Sequence, residues 1–166
     1  MILRPAVVAD AEFLRAMLHE AIFTPPGTPR PAREVVDHPP LSLYISGWGV
    51  RAGDVGLIAI DPKPVGAAWF RLYPEEAPGY GFVDDATPEL SIAVAAGYRN
   101  MGIGSKLLTA LIELARSSYP GLSLSVDPEN LARRLYTRYG FQAHGGSERT
   151  MVLRMNADCL HAPDLA

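Results

Sequence analysis

The sequence predicts one α/β domain, and three observations carry that prediction. A strand-like opening at residues 2–8 runs into a helical pattern. Two apolar, β-rich runs are joined by Asp61-Pro62-Lys63-Pro64, and from Glu89 onward strand and helix patterns alternate as β, α, β, α. At 166 residues the chain is long enough to bury about two thirds of its unfolded surface in a single core. Residues 1–166 are therefore expected to form a single domain.

After the first strand, Asp10 is placed to cap a helix carrying Phe13, Leu14, Met17, Leu18 and Ile22 at helical spacing. Residues 24–40 hold six prolines, Pro25, Pro26, Pro29, Pro31, Pro39 and Pro40. Each interior proline removes a backbone donor and clashes with the preceding turn, so only a short helix at 34–36 is expected there. A second short helical pattern spans 41–48, and residues 55–60 and 65–73 read as a hairpin. The Pro-, Gly- and acid-rich stretch 74–88 reads as a loop with a strand fragment at 80–83. Strands at 89–95 and 122–126, helices at 103–116 and 130–139, and a last strand at 149–155 complete the order.

Fifteen Lys and Arg against eighteen Asp and Glu leave a net charge of -3, which offers no broad positive field for a polyanion, so nucleic acid is excluded as a main partner. Cys159 is the only cysteine, which rules out an internal disulfide and a cysteine-rich metal site. No window approaches the roughly 18 uninterrupted apolar residues of a membrane span, and no leader-like apolar stretch follows Met1. A cytoplasmic protein without membrane attachment is expected.

The most informative stretch is Arg99-Asn100-Met101-Gly102-Ile103-Gly104-Ser105, set between a strand and a helix with Ile103, Leu107, Leu108, Leu111 and Leu114 on one face. The first N–H groups of a helix lack partners and carry partial positive charge, so a glycine-rich entry lets a phosphate approach them. Arg99 would add a positive charge and Ser105 a hydroxyl. The same glycines also suit an ordinary tight turn. A P-loop is disfavoured, because Ile103-Gly104 stands where Lys and Ser or Thr are required. The dinucleotide fingerprint fails as well, since the third glycine position is Leu107.

These residues resemble the GNAT superfamily of N-acetyltransferases, whose pyrophosphate loop has the form Arg or Gln, x, x, Gly, x, Gly or Ala at a helix start. Arg99 to Gly104 match that form. Leu90-Ser91-Ile92-Ala93-Val94 resembles the family's fourth strand and 122–126 its fifth. Asn130, Leu135-Tyr136 and Tyr139-Gly140-Phe141 resemble the helix and Gly-Phe turn that follow. The resemblance is strong over 88–141, and it departs at Ala96, where the family often has Pro, and at Asn100, where it often has Gly. Asn still reaches a tight-turn conformation.

The resemblance implies a mixed, mostly antiparallel sheet of six to seven strands with splayed fourth and fifth strands, flanked by about four helices. It implies acetyl-CoA as cosubstrate, no metal, and an amine acceptor, either a small molecule or a peptide or protein amine, served by a monomer or homodimer. The pantetheine arm would pair with backbone near Ile92, Ala93 and Val94, and the diphosphate would lie on Arg99 through Ser105. A neutral amine would attack the thioester directly in a ternary complex, with the Val94 N–H stabilising the oxyanion. Tyr136 matches the family's general acid and Glu89 a carboxylate that several members place near the acceptor as base.

Each residue also has a plainer role: packing for Tyr136, a solvated strand end for Glu89, a helix N-cap rather than a hold on the coenzyme arm for Asn130. Asp84 and Asp85 are substitutes for Glu89, and His144 is a weaker one. Acceptor specificity maps by resemblance to residues 23–44 and 144–149. Glu75, Glu76, Asp84, Asp85 and Glu89 would favour a cationic acceptor, or are solvated surface. Trp48, Trp69, Tyr73 and Tyr80 would line an apolar pocket, or pack in the core. A non-catalytic acyl-CoA sensor of the same fold is the alternative to an enzyme.

Overall fold

A computed structural model describes residues 1–155. Seven strands form one sheet: β1 (Ile2–Pro5), β2 (Val55–Ile60), β3 (Pro64–Arg71), β4 (Glu89–Val94), β5 (Gly121–Ser125), β6 (Gln142–Ala143) and β7 (Thr150–Arg154). Their order across the sheet is β1-β2-β3-β4-β5-β7-β6. Every neighbouring pair is antiparallel except β4 and β5, which run parallel and meet only at Glu89 and Ser123. Beyond that pair the two strands separate, and the expected splay is present.

Alternation along the strands divides the core between two faces. On one face Leu57, Ala59, Ala68, Phe70, Leu90, Leu122 and Leu124 pack against α2 (Ile103–Arg116) and α3 (Ala132–Arg138). Helix α2 presents Ile103, Leu107, Leu108, Leu111, Ile112 and Ala115 inward. Each of its fully buried leucines contributes on the order of 1.5–3 kcal/mol of transfer free energy. On the other face Ile58, Ala67, Trp69, Tyr73 and Ala93 pack against Leu14, Met17 and Leu18 of α1 (Ala11–Ala21), with Val36, Tyr44 and Trp48. Among the described residues no helix is long and apolar enough to cross a membrane.

Three sequence expectations are adjusted and one short strand is added. Three α-helices flank the sheet rather than about four, because the proline-rich segment forms only 3-10 turns at Arg33–Asp37 and Leu41–Tyr44. Asp10 makes no capping bond to α1; its carboxylate takes the Val7 N–H at 2.8 Å and both terminal nitrogens of Arg4 at 2.7 Å, which fixes the preceding 3-10 turn instead. No strand forms at 80–83, because the Tyr80 N–H bonds the Tyr44 hydroxyl at 2.7 Å rather than a ladder partner. The two-residue β6, too short to show periodicity, pairs with β7. Cys159 lies outside the described residues.

Anchoring the 3-10 turn at 41–44 is a buried ion pair. Arg71 at the end of β3 is fully buried, and its Nε and Nη2 lie 2.8 and 2.9 Å from the two oxygens of Asp54. Its Nη1 donates to the carbonyls of Leu43 and Ser46 at 2.9 and 3.0 Å, and the guanidinium lies over the Trp48 ring. One side chain thus ties residues 43–54 to the sheet directly beside Glu89, its register partner.

Candidate active site

The splay opens a cleft of about 1140 Å³ that reaches both faces of the sheet. Its walls are built first by backbone. The Ala95 N–H bonds the Val65 carbonyl at 2.8 Å, so by strand alternation the polar groups of Ala93 and Ser91 also point to β3. Those of Ile92 and Val94 point the other way, towards β5, which has already diverged. Ile92 and Val94 thus offer unpaired strand-edge groups to an extended ligand. The Val94 carbonyl accepts only the Arg99 Nε, at 3.1 Å.

At the cleft mouth the chain turns into α2. Asn100 sits at φ 63° and Gly102 at φ 77°, a left-handed pair of turns for which glycine and asparagine are the least strained residues. No side chain caps α2, and its first internal bond is from Lys106 N–H to Gly102 O at 3.1 Å. The N–H groups of Ile103, Gly104 and Ser105 are left to bind an acceptor. A Cβ at Gly104 would approach Leu135 and Val94 no closer than 3.8 Å. Gly104 therefore leaves open space in the cleft rather than relieving a clash.

Arg99, expected to add a positive charge beside the loop, is ion-paired. Its Nη2 lies 2.8 Å from Glu20 of α1, which also faces Arg30 at 3.5 Å. The guanidinium is therefore partly neutralised, and the pair holds α1 against the loop. Arg134 and Arg138, one turn apart on α3, line the same cleft. Sequence reasoning passed them over, although their i,i+4 spacing puts both on one helix face.

Of the remaining expected cleft residues, Ile92, Ala93, Val94, Asn100, Gly102, Ile103, Gly104, Ser105 and Asn130 all line it. Met101 does not; its side chain points to solvent, 60% exposed. The Asn130 Oδ1 accepts the Ala132 N–H at 2.9 Å, so it serves the start of α3 while still facing the cleft.

The two residues with acid–base chemistry enter from opposite faces. Tyr136 comes from α3, is 8% exposed, and packs edge-on against Phe141. Its hydroxyl makes no hydrogen bond among the described residues, and burial pushes its pKa up to about 12, which keeps it protonated at neutral pH. Glu89 opens β4 on the α1 face and is 2% exposed. It is not a solvated strand end. Its Oε1 accepts the Tyr44 hydroxyl at 2.6 Å, while Oε2 has no hydrogen-bond partner among the described residues. Burial raises its pKa to about 7, against the opposing pull of the Tyr44 hydroxyl and the nearby Gly81 N–H.

The alternatives to Glu89 fall away on position. Asp84, Asp85 and His144 do not line the cleft, and neither do Glu75 and Glu76. Asp84 and Asp85 instead accept the backbone N–H groups of Ala86 and Glu75 and shape their own loop. Trp48, Trp69 and Tyr73 are core residues, whereas Tyr80 is 57% exposed, stacks on Tyr44 and lines the cleft. Of the segments expected to select the acceptor, residues 23–44 contribute Phe23, Thr24, Arg30, Leu41 and Tyr44; residues 144–149 contribute none. Among the described residues no group of three or more His, Cys, Asp or Glu could hold a metal ion.

A splayed parallel pair with a glycine-entered helix at its mouth gives an α/β domain with one cleft shaped for an extended, phosphate-bearing ligand. Residues 17–141 match the family model described as Acetyltransferase (GNAT) family. The chain belongs to that family. Among solved structures it is similar to a ribosomal-protein-alanine N-acetyltransferase from Brucella melitensis, with 26% identity and a TM-score of 0.64 over 93% of this chain and 100% of that one. It is similar in fold to a putative acetyltransferase from Salmonella typhimurium bound to its cofactor acetyl-CoA, with 21% identity and a TM-score of 0.67 over 100% of this chain and 99% of that one. A phosphinothricin acetyltransferase from Sinorhizobium meliloti in complex with acetyl-CoA shares 18% identity at a TM-score of 0.62, over 93% of this chain and 88% of that one. Among proteins of curated function none matches the chain.

Proposed function

We propose that this protein is an N-acetyltransferase that moves the acetyl group of acetyl-CoA onto an amine by direct attack. The observation that carries the reading is the placement of Glu89 and Tyr136 on opposite sides of one cleft whose strand edge is unpaired. The cleft fits the donor on the residues present. The free N–H groups of Ile103, Gly104 and Ser105, with Arg99, Arg134 and Arg138, suit its phosphates, and the polar groups of Ile92 and Val94 suit its amide-bearing arm. When bound, acetyl-CoA supplies an acyl group activated as a thioester.

The protein's own groups would do the rest. Glu89, half-ionised near pH 7, takes the proton that an ammonium acceptor must lose before it can attack. The Val94 N–H is the donor available to negative charge developing on the acyl oxygen. The Tyr136 hydroxyl, held protonated by burial, delivers a proton to the departing sulfur. Phe23, Leu41 and Tyr80 would contact the acceptor.

A panel of amines incubated with acetyl-CoA and read out as thiol release tests the activity. Turnover with one amine class supports an enzyme; saturable coenzyme binding with no turnover on any amine would favour a sensor. Tyr136→Phe is expected to lower kcat roughly 10- to 1000-fold with coenzyme affinity unchanged; unaltered turnover removes Tyr136 from the reaction. Gly104→Val has room for its Cβ, so it should fold and yet weaken acetyl-CoA binding by at least about tenfold, ~1.4 kcal/mol. Normal affinity in a calorimetric titration would mean that the phosphates lie elsewhere.

A further inference from the structure

Glu89 is closed off on both oxygens. Its Oε2 is buried without a partner, and the Gly79 backbone lies so close that a Cβ there would fall 2.1 Å from that atom. Its Oε1 is covered by the Tyr44 hydroxyl at 2.6 Å. An acceptor nitrogen in the cleft therefore has no direct path to the carboxylate while the 79–81 turn stays in place. That turn is held by the Tyr80 N–H donating to the same Tyr44 oxygen at 2.7 Å. Gly81 adds a second hold, packed so tightly on Leu124 and Ser125 that a Cβ would meet backbone at 2.5 Å.

The polar groups packed around Glu89 come from several elements: Tyr44 from the 3-10 turn, Tyr73 and Arg71 from the end of β3, and Ser123 from β5. The Arg71 charge is taken up by Asp54. Tyr73 and Ser123 do not line the cleft, and Tyr80 lines it without bonding the carboxylate. Only Tyr44 both bonds Glu89 and faces the cleft. A phenol oxygen has two lone pairs. One accepts the Tyr80 N–H, and the other, which takes no hydrogen bond among the described residues, can accept an acceptor's N–H.

We infer that the Tyr44 hydroxyl is the relay through which the acceptor amine's proton reaches Glu89, an inference that rests on Glu89 being the base. Before the nitrogen attacks the acyl carbon, one N–H bond of the ammonium breaks, its electron pair stays on the nitrogen, and the proton goes to Tyr44 Oη. In the same step the original Tyr44 O–H breaks and that proton goes to Glu89 Oε1. Tyr44 ends as it began, a neutral phenol, and Glu89 ends as a carboxylic acid. The two transfers occur together, because burial beside Glu89 drives the Tyr44 pKa far above its ordinary value and a free phenolate does not form.

The test is the pH dependence of kcat for the wild type, Tyr44→Phe, Glu89→Gln and the double variant. Loss of a hydrogen bond to the carboxylate would by itself raise the Glu89 pKa, shifting the rising limb upward while leaving the plateau. A relay predicts instead a plateau about 100-fold lower that does not recover at pH 9, and a double variant no slower than Glu89→Gln. A Tyr44→Phe plateau within about threefold of the wild type overturns the relay. If Glu89→Gln is inactive at the same time, the base assignment survives; if Glu89→Gln keeps full turnover, both fall. Should Tyr44→Phe not fold, a proton inventory on the chemical step of Tyr136→Phe, which lacks the proton that Tyr136 would deliver, decides. A bowed dependence on deuterium content reports two protons in flight and supports the relay, and a linear one contradicts it.

Discussion

Glu89→Gln is expected to lower kcat by roughly 10²- to 10⁴-fold while acetyl-CoA binds with unchanged affinity. Among the described residues Glu89 is the only acidic residue besides the Arg-paired Glu20 at the cleft, so no neighbouring carboxylate is placed to take over its proton. In the wild type, kcat/KM should rise with pH through about 7, where Glu89 ionises. Stability should move the opposite way. The carboxyl's pKa is raised from 4.5 to about 7 on folding, so between those values the folded state binds more protons than the unfolded one. Stability then falls as pH climbs through that window. Glu89→Gln removes the effect, and its stability relative to the wild type should improve from pH 4.5 to pH 8 by up to about 3 kcal/mol. Chemical denaturation at the two pH values measures this; a pH-independent difference would show that Glu89 is not buried in its neutral form.

Asp54→Ala is expected to cost about 3–5 kcal/mol, because it strands the fully buried Arg71 guanidinium without its carboxylate. For a chain of this length that corresponds to a fall in Tm of roughly 6–20 °C. Arg71 also holds the carbonyls of Leu43 and Ser46, so the turn that carries Tyr44 should loosen with it. Activity should therefore drop even at temperatures where the variant is still folded. Replacing both partners with apolar residues of similar volume, as in Asp54→Leu with Arg71→Met, should recover much of the stability, since no unpaired charge then remains. A double variant as unstable as Asp54→Ala would assign the loss to packing rather than to charge.

Much of the site was legible because its signals are local. Arg99 through Gly104 place unpartnered helix-start N–H groups close to a cation within a few residues, and the alternating patterns from Glu89 onward set the order of strands and helices around them. Helix α2 was readable to its ends, although Leu114, read on its apolar face, is 48% exposed and Ile112 and Ala115 complete that face instead. What failed to show were contacts between distant segments. Tyr44 reaches Glu89 across 45 residues, and Glu20 reaches Arg99 across 79; no periodicity in either segment encodes the partner. The same limit explains 80–83. Its Tyr, Phe and Val suggest a strand, yet the Tyr80 N–H is claimed by Tyr44, a competitor that only tertiary structure supplies. Burial decided Glu89 as well: at a strand end it reads as solvated, and only the turn at 79–81 lying over it buries the carboxyl and raises its pKa to about 7.

The measurement that tests the account most directly is calorimetric titration of the protein with acetyl-CoA, with ATP as control. Saturable one-site binding of acetyl-CoA, weakened in Gly104→Val and absent with ATP, is the predicted result. No saturable heat with acetyl-CoA would contradict the claim that the β4–β5 cleft holds the coenzyme, and with it the assignment of Glu89 and Tyr136.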